Sequence, residues 1–68
     1  MKSYFDFVTK IDQEYHTGSL RYGQILMNVL YDTWPSKYKE ITNTNLDCFY
    51  DDSRVDAVLD KLSKEWIG

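Results

Sequence analysis

The chain has 68 residues, of which 43% are hydrophobic, 16% aromatic and 28% charged, so it holds one small core and has no room for a large enzyme with a deep cleft. Three glycines and one proline against two tryptophans, six tyrosines and three phenylalanines exclude collagen-like and low-complexity chains and point to a folded domain. Eight basic and eleven acidic side chains leave a net charge of −3, the wrong sign for a protein held to nucleic acid by phosphate contacts.

Ser3 followed by Asp6 resembles an N-cap with an acidic residue in the first turn, and Tyr4, Phe7, Val8, Ile11 and Tyr15 then recur at helical spacing. The first helix is therefore predicted over 3–16. Asp6 interrupts the apolar start, and no stretch approaches the roughly 7–15 apolar residues of a signal-peptide core or the roughly 20 of a membrane span. No membrane partner is expected, and the chain reads as cytoplasmic. His16-Thr17-Gly18-Ser19 stops the helix, with Gly18 offering a left-handed C-terminal position and Ser19 a fresh N-cap.

From Leu20 to about Thr33, Tyr22, Ile25, Leu26, Met27, Val29, Leu30 and Tyr31 cover most of a helical circumference, the mark of a central helix. They leave one strip of Arg21, Gln24, Asn28 and Asp32, spaced so that all four project from one face. Gly23 costs roughly 1 kcal/mol inside a helix, so its presence predicts that another backbone or an aromatic ring packs closely there.

Trp34 before Pro35 is biased away from helical geometry, while Pro35 and Ser36 suit the opening of a short helix that runs to about Ile41. Thr42-Asn43-Thr44-Asn45 breaks it, and Leu46 to Asp51 lacks any lasting period, as in an ordered, aromatic-rich connection. Asp52 or Ser53 is expected to cap the last helix. There Val55, Val58, Leu59, Leu62 and Trp66 form the inner face, and Asp56, Asp60, Lys61 and Lys64 the outer one. The expectation is an all-α fold, a compact small bundle of three main helices plus one short helical turn, in a single domain over residues 1–68.

The polar strip is the first candidate for function, because the planar Arg21 fork, Gln24 and Asn28 present directional donors and acceptors at successive turns. The structural alternative is a solvated edge of a nearly buried helix, with Arg21 paired to Asp47, Asp51 or Asp52 so that the later loop is tied back. A buried pair of that kind would make Arg21→Ala cost more than about 2 kcal/mol. Tyr31, Trp34, Tyr38 and Tyr50 flank the mid-chain turn and either form one exposed aromatic patch or complete the core.

Chemistry is less well served. Cys48 and His16, each single in the chain, exclude an internal disulfide and a Cys/His zinc site. Neither has the surroundings of a nucleophile and its base, so Cys48 reads as a small packed hydrophobe and His16 as a helix-end residue. Asp51 and Asp52 fall short of the ligand series of a calcium loop and suit the N-terminus of the following helix. Phosphate-loop and serine-nucleophile motifs are missing from the sequence. No catalytic residue, metal or cofactor is expected, and the chain does not read as an enzyme.

The run Leu20-Arg21-Tyr22-Gly23-Gln24-Ile25-Leu26-Met27-Asn28-Val29-Leu30, with Asp47, Phe49-Tyr50-Asp51-Asp52 and Arg54 downstream, resembles a pattern of small uncharacterised bacterial and phage open reading frames. These carry Arg, an aromatic, Gly-Gln, then Asn and Leu, and later an aromatic with acidic residues. The resemblance covers about half the chain and implies that Arg21, Tyr22, Gly23, Gln24 and Asn28 form one unit with the acidic loop. It implies no activity. The expected function is that of a small protein-binding module, of the kind a phage or prophage encodes to occupy a surface of a host protein, with Arg21, Gln24, Asn28, Tyr50, Asp51 and Asp52 touching the partner. The alternatives are a homodimeric structural or accessory protein and an immunity or antitoxin-type partner of a neighbouring toxin.

Overall fold

Ser3 opens the first helix as its sequence position requires: its Oγ accepts the Asp6 N–H at 3.1 Å, satisfying one of the backbone donors that a helix start leaves free. In the computed structural model, which describes residues 2–66, α1 spans Tyr4–Thr17, α2 Tyr22–Thr33 and α3 Pro35–Ile41. A single 3₁₀ turn over Asp52–Arg54 then runs into α4, Val55–Glu65. Helix makes up 72% of the structure, and no strand occurs among the described residues. None of these helices is long and apolar enough to cross a membrane.

Three of the predicted caps are different, the third being Ser19, which does not cap α2. Gly18 is not left-handed; it sits at φ −115° and ψ −177°, ordinary extended backbone, and its N–H closes α1 by donating to the Glu14 carbonyl at 3.0 Å. The cap of the last helical segment is Asp51 rather than Asp52 or Ser53, its Oδ1 accepting the Ser53 N–H at 3.0 Å. Asp52 is diverted to α2, as described below. At the end of α3, Asn43 takes φ 64°, a left-handed turn that asparagine tolerates better than most residues.

α2 is the central helix. Ile25, Leu26, Met27, Val29 and Leu30 are all buried, and they join Phe7 and Ile11 of α1, Ile41 of α3, Cys48, and Val58 and Leu62 of α4 in one core. α1 runs antiparallel to α2, since the Tyr15 and Tyr22 rings meet at 5.5 Å while Phe7 and Val29 share a cleft further along. α4 starts beside the start of α2 and ends beside its end. There the Trp66 ring meets Trp34 at 5.2 Å, Phe7 at 4.9 Å and Tyr4 at 5.7 Å. The Trp66 indole N–H donates to the Lys2 carbonyl at 2.8 Å.

An ion network latches α3 to the end of α4. Lys37, only 7% exposed, places its ammonium 2.8 Å from Glu40 and 2.6 Å from Glu65, over the Trp34 ring at 4.9 Å. The other Glu65 oxygen accepts from Lys61 at 2.6 Å. Lys37 and Lys61 together hold the Glu65 carboxyl down at about 2. A carboxyl depressed in this way adds stability above its unfolded value and loses it as the pH falls through its folded value. The latch is therefore complete above about pH 4.5 and weakens toward about pH 2. In an acid titration followed by circular dichroism, Glu65→Gln is expected to remove that part of the slope; a curve identical to the wild type would show that the latch adds nothing.

Candidate functional site

Gly23 explains why the loop after α3 lies where it does. A Cβ on Gly23 would come within 2.2 Å of the Cys48 carbonyl oxygen and 2.7 Å of Asp52 Oδ1, so the predicted close approach is that of a backbone carbonyl. The Gly23 N–H, second in α2, donates to Asp52 Oδ1 at 3.0 Å. Asp52 thus caps α2 from 29 residues away, in place of Ser19 and in place of a side chain at Arg21, which occupies the N-cap position without capping. The Cys48 thiol, fully buried, donates to the Gly23 carbonyl at 3.6 Å. Cys48 is therefore a packed hydrophobe with one weak hydrogen bond.

Arg21 closes this clasp from outside. Its guanidinium donates to the Phe49 carbonyl at 2.9 Å and stands 3.7 Å from Asp52 Oδ1, with the two side chains 47% and 46% exposed. The pairing of Arg21 with the acidic loop is present, but it is half-exposed, so the condition for a cost above about 2 kcal/mol is not met. Arg21→Ala is expected to lower stability by about 1 kcal/mol, one hydrogen bond and a screened ion pair. Urea unfolding measures this, and a loss well above about 2 kcal/mol would mean that the guanidinium is far more desolvated than its exposure allows.

The remaining strip residues have no such task. Gln24 is half-buried, while Asn28 and Asp32 are exposed, and among the described residues none of the three side chains takes part in a hydrogen bond or ion pair. Tyr31 belongs with them. It was expected on the apolar circumference, yet it is 57% exposed, because 100° steps place position 31 between 24 and 27 on the wheel. Its ring packs edge-on against Tyr38 at 5.1 Å.

Tyr38 leads into a groove. Tyr38, Phe49 and Tyr50 supply its rings and Thr42, Asn43 and Asp47 its polar groups, together with the buried Met27, around a volume of about 310 Å³. Tyr50 is 83% exposed and held edge-on by Phe49 at 4.8 Å. Asp47 organises the loop: its carboxylate accepts the Asn43 N–H at 2.8 Å, the Phe49 N–H at 3.0 Å and the Thr42 hydroxyl at 3.3 Å. Burial pushes its carboxyl up, but these donors and the Arg54 charge outweigh that and hold it below the ordinary value.

The predicted contact residues therefore fall into two groups. Arg21 and Asp52 serve the clasp, and Asp51 binds Ser53 and stands 3.4 Å from Arg54. Gln24, Asn28 and Tyr50 are left to face outward. The four aromatics do not form one patch: Tyr31, Tyr38 and Tyr50 share the face around the groove, whereas Trp34 turns away to Trp66. Thr42 and Asn43 carry no signal beyond a helix break, Asp47 is a candidate partner of Arg21 in the sequence but binds Thr42, Asn43 and Phe49 instead, and Phe49 enters only as part of the downstream aromatic-acidic segment. The helix break itself is signalled by the run of Asx and Thr residues that build side-chain-capped turns. Cys48, with burial raising its thiol to about 11, is no nucleophile in this state, and no group of three or more metal-ligating side chains is assembled among the described residues. No known protein family, curated protein or solved structure matches this chain significantly.

Proposed function

We propose that the chain is a small protein-binding module that occupies a surface of a larger protein with the face made by Gln24, Asn28 and Tyr31 of α2, Tyr38 of α3 and Tyr50 of the loop. The observation that carries this reading is the exposure of Tyr31 at 57% and Tyr50 at 83% around one groove lined by Tyr38 and Phe49, whereas the other exposed large apolar side chains, Phe5, Tyr15 and Leu20, border no such groove. Tyrosines with an apolar ring and a free polar tip are enriched where proteins meet, because each covers a large area at little conformational cost. Arg21, Asp51 and Asp52 contribute through the clasp that holds Tyr50 in place and as a polar rim. In the same reading the setting is a bacterial cytoplasm, in keeping with a sequence that shows no signal-peptide core and no membrane span, and the partner is a host protein.

The test is affinity capture with tagged protein from a bacterial lysate, followed by binding of the purified candidate to wild type and to a Gln24→Ala, Asn28→Ala, Tyr31→Ala triple variant. All three positions are outside the core, so the variant is expected to keep the wild-type circular dichroism spectrum. A purified partner that binds wild type and loses at least about tenfold with the folded triple variant, about 1.4 kcal/mol, supports the reading. Equal binding to both moves the interface elsewhere. A concentration-dependent dimer in light scattering, broken by the same variant, would replace it with self-association.

A further inference from the structure

The groove beside Tyr50 holds a negative charge, Asp47, whose nearest cation, Arg54, acts on it from beyond ion-pair distance. Among the described residues no ammonium or guanidinium stands within ion-pair distance of the Asp47 carboxylate. Arg54 is the near candidate, but its guanidinium is spent on the Asp47 and Thr44 main-chain carbonyls at 3.2 and 3.5 Å and on Asp51 at 3.4 Å. The Asp47 carboxylate accepts three hydrogen bonds of the about four that such a group can take. It remains a half-buried anion at the edge of a ring-lined space, the surroundings in which an incoming cation gains most.

The walls narrow the choice of cation. Tyr38 and Tyr50 each pack edge-on against a neighbour, Tyr31 at 5.1 Å and Phe49 at 4.8 Å, which narrows the orientations their rings can take. The space of about 310 Å³ is at the bottom of the range of roughly 300–1,000 Å³ seen for ligand pockets, enough for one long side chain and too small for a helix. A planar guanidinium stacks on aromatic faces and is weakly hydrated, whereas a compact ammonium gives up more solvation. A second copy of this chain is disfavoured as the source, because each copy carries a net charge of −3. We infer that the groove formed by Tyr38, Asp47, Phe49 and Tyr50 receives an arginine side chain of the partner protein, its guanidinium stacked on the tyrosine rings and donating to the Asp47 carboxylate. This rests on the reading of the surrounding face as a partner surface.

The experiment titrates N-acetyl-arginine methylamide into the ¹⁵N-labelled protein, with the lysine and citrulline analogues as probes of charge and shape. Saturable amide shifts at Tyr38, Asn43, Asp47, Phe49 and Tyr50 are expected with arginine, weaker ones with lysine and none with the uncharged citrulline. Tyr50→Ala is expected to weaken the arginine response about two- to fivefold, the worth of one exposed cation–ring contact, and Asp47→Asn to weaken it further. Asp47 also ties the loop, so Tyr50→Ala, which removes an exposed ring, decides the matter if Asp47→Asn fails to fold. Equal shifts with citrulline, or no shifts at these amides, overturn the inference. Shifts at the same amides on concentrating the protein alone assign the groove to a second copy and overturn it too. A partner captured through Tyr31 without an arginine response removes this inference and leaves the module reading; an arginine response with no partner does the reverse.

Discussion

Gly23→Ala is expected to destabilise the domain by about 2–4 kcal/mol, from overpacking plus a disturbed cap. Helix propensity alone gives the opposite sign, since alanine in a helix interior gains up to about 1 kcal/mol over glycine. The decision comes from the Cys48 carbonyl oxygen, 2.2 Å from where the new Cβ would lie. That atom belongs to a backbone pinned on both sides, by the buried Cys48 side chain and by the Asp51 N–H that donates to the same oxygen at 3.2 Å. To make room, the loop must retreat and draw Asp52 off the Gly23 N–H. Denaturant unfolding of the alanine variant reads the balance. A gain in stability would show that the loop yields freely and that the clasp is weak.

Leu26→Ala carries the other large effect, an expected loss of about 2–5 kcal/mol from a cavity in a core that cannot collapse to fill it. Leu26 is fully buried in the cluster to which all four helices contribute. A domain of this size has a total stability of a few kcal/mol, so the variant is expected to be largely unfolded at ambient temperature. Leu20→Ala is the matched control, being 44% exposed and expected to change stability by no more than about 0.5–1 kcal/mol. Similar losses at both positions would mean that α2 is not the central element.

The helices were legible because their signals are local. Periodicity gave α1 and α2 to within two residues and the buried face of α4 with Trp66 just past its end, Pro35 marked α3, and Ser3 its own cap. Gly23 was legible for a different reason: a residue that weakens a helix needs a compensating neighbour, and one is there. What escaped was set by distant parts of the chain. Asp52 caps a helix 29 residues upstream, a role that displaces Ser19 and passes the local cap to Asp51. Tyr31 shows the limit of sorting residues by polarity, because its angle on the helix, not its ring, decided where it went. The groove depends on α3 and the loop after it folding against Met27, and no spacing within any one segment encodes that.

The buried thiol of Cys48 gives the clasp a clock. The chain contains no other cysteine, and its thiol is fully covered and raised to about 11, so a reagent that needs a thiolate meets nothing to react with in the closed form. Any labelling must wait for residues 47–52 to lift from α2, and when opening and closing outpace the reagent, its rate is proportional to the fraction of time spent open. The protein thus carries, at the contact between its loop and its central helix, an intrinsic reporter of local opening, one that can be followed without adding a probe to the face where a partner would sit.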